Sequence, residues 1–170
     1  MRFDGRLGRA KRSQARWGRT EPGNRPAWPP RPIVARTPGG RPRVLVVEDD
    51  APFREYVVGV LSNAGYEVCE AGDGGDLLEK VADVATKDGI DPEPFSAILT
   101  DVRMPGISGA DAIELLRNGP WRHTPTIMMT AFSDSQMRAR AARLGVAAVL
   151  DKPFDADRLC QVLGEVAPVS

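Results

Sequence analysis

No apolar run in this chain approaches the roughly 20 residues needed to cross a bilayer, and no hydrophobic signal core follows its basic start. That leaves a soluble, cytoplasmic protein with no membrane partner. Cysteine is scarce: Cys69 and Cys160 lie far apart, match no metal or redox spacing, and read as small core or surface thiols. Histidine is scarcer. His123 could in principle carry a phosphoryl group or bind a metal, but it sits in the polar stretch NGPWRHTP, where a loop histidine is the simpler reading. A glycine-rich phosphate loop and a nucleophile elbow are also missing, which removes two common enzyme signatures.

Net charge is absent too, and its absence hides an asymmetry. Residues 1–43 hold twelve of the 23 basic residues and two of the 23 acids, leaving eleven basic residues and twenty-one acids beyond. The basic segment also carries seven Pro and six Gly among few scattered apolar residues. Such a composition cannot bury enough surface to offset the entropy of ordering it. Residues 1–42 are therefore expected to be a disordered tail, 43–167 one folded domain, and 168–170 a short C-terminal end.

What is present in the body is alternation. The runs VLVV (44–47), YEVCE (66–70), SAILT (96–100), TIMMT (126–130) and VAAVL (146–150) read as five strands. Segments of helical period separate and follow them. Phe53, Val57, Val60, Leu61 and Ala64 form one apolar stripe, closed by Gly65; Leu77, Leu78, Val81 and Val84 form a second. Ile113 and Leu116 mark a shorter third. A fourth opens on a capping-box pattern, Ser133 to Gln136, turns Met137, Ala141 and Leu144 inward and stops at Gly145. Asp155 caps a fifth, with Leu159, Val162, Leu163 and Val166 facing the core. Alternating strands and helices imply right-handed crossovers between parallel strands, hence a doubly wound α/β sandwich.

In such sheets the functional crevice lies beyond the carboxyl ends of the strands. Strand one ends in Glu48 and Asp49, strand three in Asp101, strand four in Thr130, and strand five runs into Lys152 and Pro153. Each has a plain reading alone: a turn aspartate, a strand threonine, a solvated lysine. Their placement at four strand ends argues for one site. Three carboxylates there form a hard-oxygen site suited to Mg²⁺, which answers their mutual repulsion. Asp101 then becomes a credible nucleophile toward a phosphoryl group, with Thr130 and Lys152 neutralising the phosphoryl oxygens.

The stretches VLVVEDDAPFR, ILTDVRMPGISG, TIMMTAFS and LDKPF, in that order, resemble a response-regulator receiver domain, the phosphoacceptor module of two-component signalling, of the chemotaxis-regulator kind. The resemblance implies a flavodoxin-like sheet of order 2-1-3-4-5 with five helices. It implies that Asp101 takes phosphate from a sensor histidine kinase or phosphotransfer protein in a phosphorelay. It further implies Mg²⁺ on Asp49, Asp101 and the backbone carbonyl of Arg103, with Glu48 acting through water. Asp50 becomes a helix N-terminal charge. Thr130 would move to the phosphoryl oxygen, Ala131 beside it leaves room, Lys152 would pair with it, and the Lys152–Pro153 bond would be cis.

Two features depart from the family pattern. Val149 stands where an aromatic often lies three residues before the lysine, and ATKDGIDPEPF (85–95) looks like an inserted surface loop. The chain ends at Ser170, which leads to the expectation of a single-domain regulator with no DNA-binding output domain, signalling through an effector protein of unknown identity. A second class is weak contact of the arginine-rich tail with nucleic acid or another anionic surface. That tail lacks aromatic interleaving and a helical stripe, so solvated charge explains it as simply, and so does a start codon assigned too early. An enzyme of the haloacid-dehalogenase kind is disfavoured because DVRMPG lacks that pattern's second aspartate. The expected role is phosphoacceptor signalling, not classical enzymatic turnover.

Overall fold

The computed structural model describes residues 40–87 and 95–169. Among them are five strands, β1 (Arg43–Val47), β2 (Glu67–Ala71), β3 (Ala97–Asp101), β4 (Thr126–Thr130) and β5 (Ala148–Asp151). They alternate with α1 (Ala51–Asn63), α2 (Gly74–Lys87), α3 (Gly109–Arg117), α4 (Ser135–Arg143) and α5 (Ala156–Val166), and a 3-10 turn, Pro120–His123, precedes β4. All strand pairs are parallel and the sheet order is β2-β1-β3-β4-β5, as expected.

Alternation along β1 shows how the two faces are covered. Val44 and Val46 join Val57 and Leu61 of α1 and Leu159, Val162 and Leu163 of α5. Leu45 and Val47 point the other way, onto Leu77 and Val81 of α2 and Leu116 of α3. Every residue of β3 and β4 is buried, as befits central strands covered on both sides. The functional consequence is positional: β1, β3, β4 and β5 all deliver their C-terminal residues to one edge.

The helix starts are held by side chains whose oxygens accept otherwise orphaned backbone N–H groups. Asp50 accepts from the Phe53 amide at 2.7 Å, which places it as the α1 cap, and Asp155 accepts from the Arg158 amide at 2.8 Å. The expected capping box at Ser133 is displaced by one residue. Asp134 is the cap of α4, accepting from the Met137 amide at 2.7 Å, while the Ser133 hydroxyl accepts from Arg138. A carboxylate is the stronger acceptor for an N–H group, and it takes the cap from its neighbour.

Strand limits shift by a residue or two from the expected ones; Val146 and Ala147, for example, precede β5. The segment 85–95 is not all loop: residues 85–87 finish α2, and Phe95 is 2% exposed in the core. Residues 88–94 lie outside the described residues, as does the expected tail over 1–39. Pro42, counted with that tail, is already part of the sheet, its carbonyl accepting from the Glu67 amide at 3.0 Å. No described helix is long and apolar enough to cross a membrane.

Candidate functional site

Register decides which strand ends meet. Val47 of β1 pairs with Thr100 of β3, so the next residues, Glu48 and Asp101, emerge side by side. Thr130 of β4 pairs with Asp151 of β5, which brings Lys152 to the same edge. The Lys152 ammonium bridges the two acids, with Nζ 2.6 Å from Glu48 Oε2 and 2.7 Å from Asp101 Oδ1. Both are buried, Glu48 at 1% and Asp101 at 6% exposure. The other carboxylate oxygen of Asp101, Oδ2, accepts from the Arg103 amide at 2.6 Å. The Lys152–Pro153 bond is cis, as expected.

The electrostatics follow from burial. Desolvation pushes the Glu48 carboxyl up, against the hydrogen bond and charge of Lys152, while Asp101 adds repulsion. Burial alone would lower the lysine, but hydrogen bonds and charges from Asp101 and Glu48 outweigh it and hold the ammonium above the ordinary lysine range. Lys152 is therefore a fixed positive charge against Asp101.

Not every candidate residue joins this group. Asp49 is exposed and stands outside the ion pairs. Among the described residues no three His, Cys, Asp or Glu side chains gather closely enough to hold a metal ion, so the expected cluster of three carboxylates is not formed as such. The ammonium occupies the place between Glu48 and Asp101 and relieves their repulsion directly. Thr130 is buried, and its hydroxyl is closed on its own turn, donating to the Phe132 carbonyl at 3.0 Å and accepting from the Phe132 amide at 3.1 Å. Val149, at the position where an aromatic is common, is half-buried and pairs with Met128 across β4 and β5.

Three neighbours escaped the sequence reading. Arg54 donates through Nη1 to the Glu48 carbonyl at 2.6 Å and through Nε to Glu70 at 3.2 Å, tying the β1–α1 turn to the end of β2. Nothing in the sequence pattern separates it from a solvated helix arginine. Gly109 lets the start of α3 lie against β3: a Cβ there would stand 1.9 Å from the Asp101 carbonyl oxygen. Phe53 places its ring over Lys152, with Nζ 4.4 Å from the centroid. In the sequence Phe53 belongs to the apolar stripe of α1, a pattern that does not single it out.

Fold and site together define a doubly wound α/β domain carrying an acid–lysine cluster at its switch-point edge. The family model described as "Response regulator receiver domain" matches residues 44–164, and the chain belongs to that family. It is similar to the phosphate regulon transcriptional regulatory protein PhoB of Klebsiella pneumoniae, 35% identical over 133 residues covering 75% of this chain and 54% of that one. The response regulator protein FleR of Pseudomonas aeruginosa is 33% identical over 125 residues, 74% of this chain and 24% of its own. The chain thus spans about half, or less, of these curated relatives. Among solved structures, the chemotaxis protein CheY4 of Vibrio cholerae superposes with a TM-score of 0.66 at 29% identity, covering 74% of this chain and 98% of its own. The receiver domain of HemR from Leptospira biflexa, in its non-phosphorylated form, gives 0.65 at 26% identity, covering 76% and 97%.

Proposed function

We propose that Asp101 accepts a phosphoryl group, with Mg²⁺, from a sensor histidine kinase or phosphotransfer protein, and that the phosphorylated chain signals by binding a partner protein. The observation that carries this is the half-buried Lys152 ammonium held 2.7 Å from the buried Asp101 carboxylate at the strand ends. Its role is phosphoacceptor signalling, not classical enzymatic turnover.

The donors present suit magnesium, which takes one or two carboxylates and fills its shell with water and phosphate oxygens. Asp49, Asp101 and the Arg103 carbonyl would hold it, with Glu48 reaching it through water. Bound there, Mg²⁺ supplies positive charge against the phosphoryl oxygens. In the transfer, a carboxylate oxygen of Asp101 forms a bond to phosphorus as the bond to the donor's leaving group breaks. Lys152 exchanges its contact with Asp101 for a phosphoryl oxygen, so its charge is already in place as negative charge arrives. Thr130 leaves its own turn to donate to another of those oxygens.

Incubation of the full chain with acetyl phosphate and Mg²⁺ should add one phosphoryl group by intact mass. Chelation of the metal should prevent it. Retention of the adduct in Asp101→Asn overturns the assignment.

A further inference from the structure

We infer that Phe53 is a positioning residue of the phosphoacceptor site, its ring face holding the Lys152 ammonium between Glu48 and Asp101. This rests on the reading of Asp101 as the phosphoacceptor.

An ammonium group has three N–H donors. Two of those on Lys152 are taken by Glu48 Oε2 at 2.6 Å and Asp101 Oδ1 at 2.7 Å. On another side lies the Phe53 ring, its centroid 4.4 Å from Nζ, within the distance at which an aromatic quadrupole attracts a cation. The Lys152 side chain is 18% exposed, so little water competes for that side, and the attraction is stronger than at an open surface.

The ring is itself held from two directions. The Phe53 amide donates to the Asp50 cap at 2.7 Å, which fixes its backbone at the first turn of α1. Phe154, two residues after Lys152, packs edge-on against the ring at 5.5 Å and 72°. Phe53 therefore joins the turn carrying the acid pair to the segment carrying the lysine. An aliphatic side chain of similar size would fill the same space without attracting the charge. When Lys152 leaves Asp101 for a phosphoryl oxygen, the ring keeps its ammonium at the site during the exchange.

Fluorination withdraws charge from the ring face at nearly constant size. Phenylalanine at 53 is replaced in the full chain by 4-fluoro-, 3,5-difluoro- and pentafluorophenylalanine, with Phe53→Leu as the aliphatic limit. The rate of Mg²⁺-dependent phosphorylation by acetyl phosphate should fall stepwise, reaching about three- to ten-fold below wild type at pentafluorophenylalanine. Thermal midpoints should stay level across the fluorinated series. In parallel, the Lys152 ammonium signal in a ¹H–¹⁵N spectrum of the unphosphorylated protein should broaden along the same series as the group loses its fixed place.

Rates that ignore fluorination, in a protein whose wild type is phosphorylated on Asp101, overturn the inference. So does an ammonium signal unchanged from phenylalanine to pentafluorophenylalanine. A wild type that takes up no phosphoryl group overturns the reading of Asp101, and the ammonium signal still decides whether Phe53 holds Lys152.

Discussion

One hydrogen atom at Gly109 decides how closely α3 approaches β3. A methyl group there would stand 1.9 Å from the Asp101 carbonyl oxygen and 2.6 Å from the Thr100 hydroxyl. The first of these is backbone and cannot swing away. Gly109→Ala is expected to cost about 1–3 kcal/mol, the range for overpacking, seen as a lower urea midpoint with an unchanged slope. Gly164, inside α5, has nothing within 4 Å of its built Cβ, so Gly164→Ala should stabilise by roughly 0.5–1 kcal/mol in the same measurement. A sequence prints the same letter at both positions; only the packing tells them apart. Glu48, Asp101 and Lys152 were legible because strand ends of a parallel sheet share an edge whatever the packing beneath. Phe53 and Arg54 were not, because apolar and basic residues in a helix's first turns have ordinary reasons to be there.

At the scale of elements, Arg117 closes α3 onto the sheet. Its Nε donates to the Leu144 carbonyl at 2.9 Å, Nη1 to the carbonyls of Arg122 and Thr124, and Nη2 to the Gly145 carbonyl and the Thr126 hydroxyl. None of these acceptors is a carboxylate. Burial lowers the guanidinium from the usual arginine range, yet it remains the one side chain that stays cationic with donors pointing in several directions. Removing it would take its donors away from carbonyls in two connections, α3–β4 and α4–β5. Arg117→Ala is expected to lose about 3 kcal/mol of stability in chemical denaturation, and Arg117→Lys to recover only a minor part, because a lysine presents its donors from one point. The periodic residues Leu159, Val162 and Leu163 predicted the buried face of α5 correctly. The boundary of α4 was missed by one residue because Ser133 and Asp134 are both capping types, and local competition between them settles the start.

Across the whole molecule, the proposed phosphorylation acts by biasing two arrangements of the face formed by α4, β5 and α5. The described state holds Thr130 on the Phe132 backbone through two hydrogen bonds; donation to phosphate would break the one to the Phe132 carbonyl, and turning the side chain toward Asp101 would break the one from the Phe132 amide. Amide exchange at Phe132 should therefore speed up on phosphorylation, with changes spreading through α4 and β5. Exchange that is the same with and without phosphate overturns the switching mechanism. Val149 supplies no aromatic side chain to swing inward, so the proposed change would rely on other parts of the β4–β5 face. By itself the amino-acid sequence determined the α/β alternation, the strand ends that carry the acids and lysine, and the family they belong to, because periodicity and strand-end chemistry are local properties of the chain. Only the tertiary structure decided that Lys152 bridges Glu48 and Asp101, that Thr130 is turned onto Phe132, and that Phe53 faces the ammonium. Those are contacts between residues distant along the chain or matters of side-chain orientation, and register and packing fix them, not pattern.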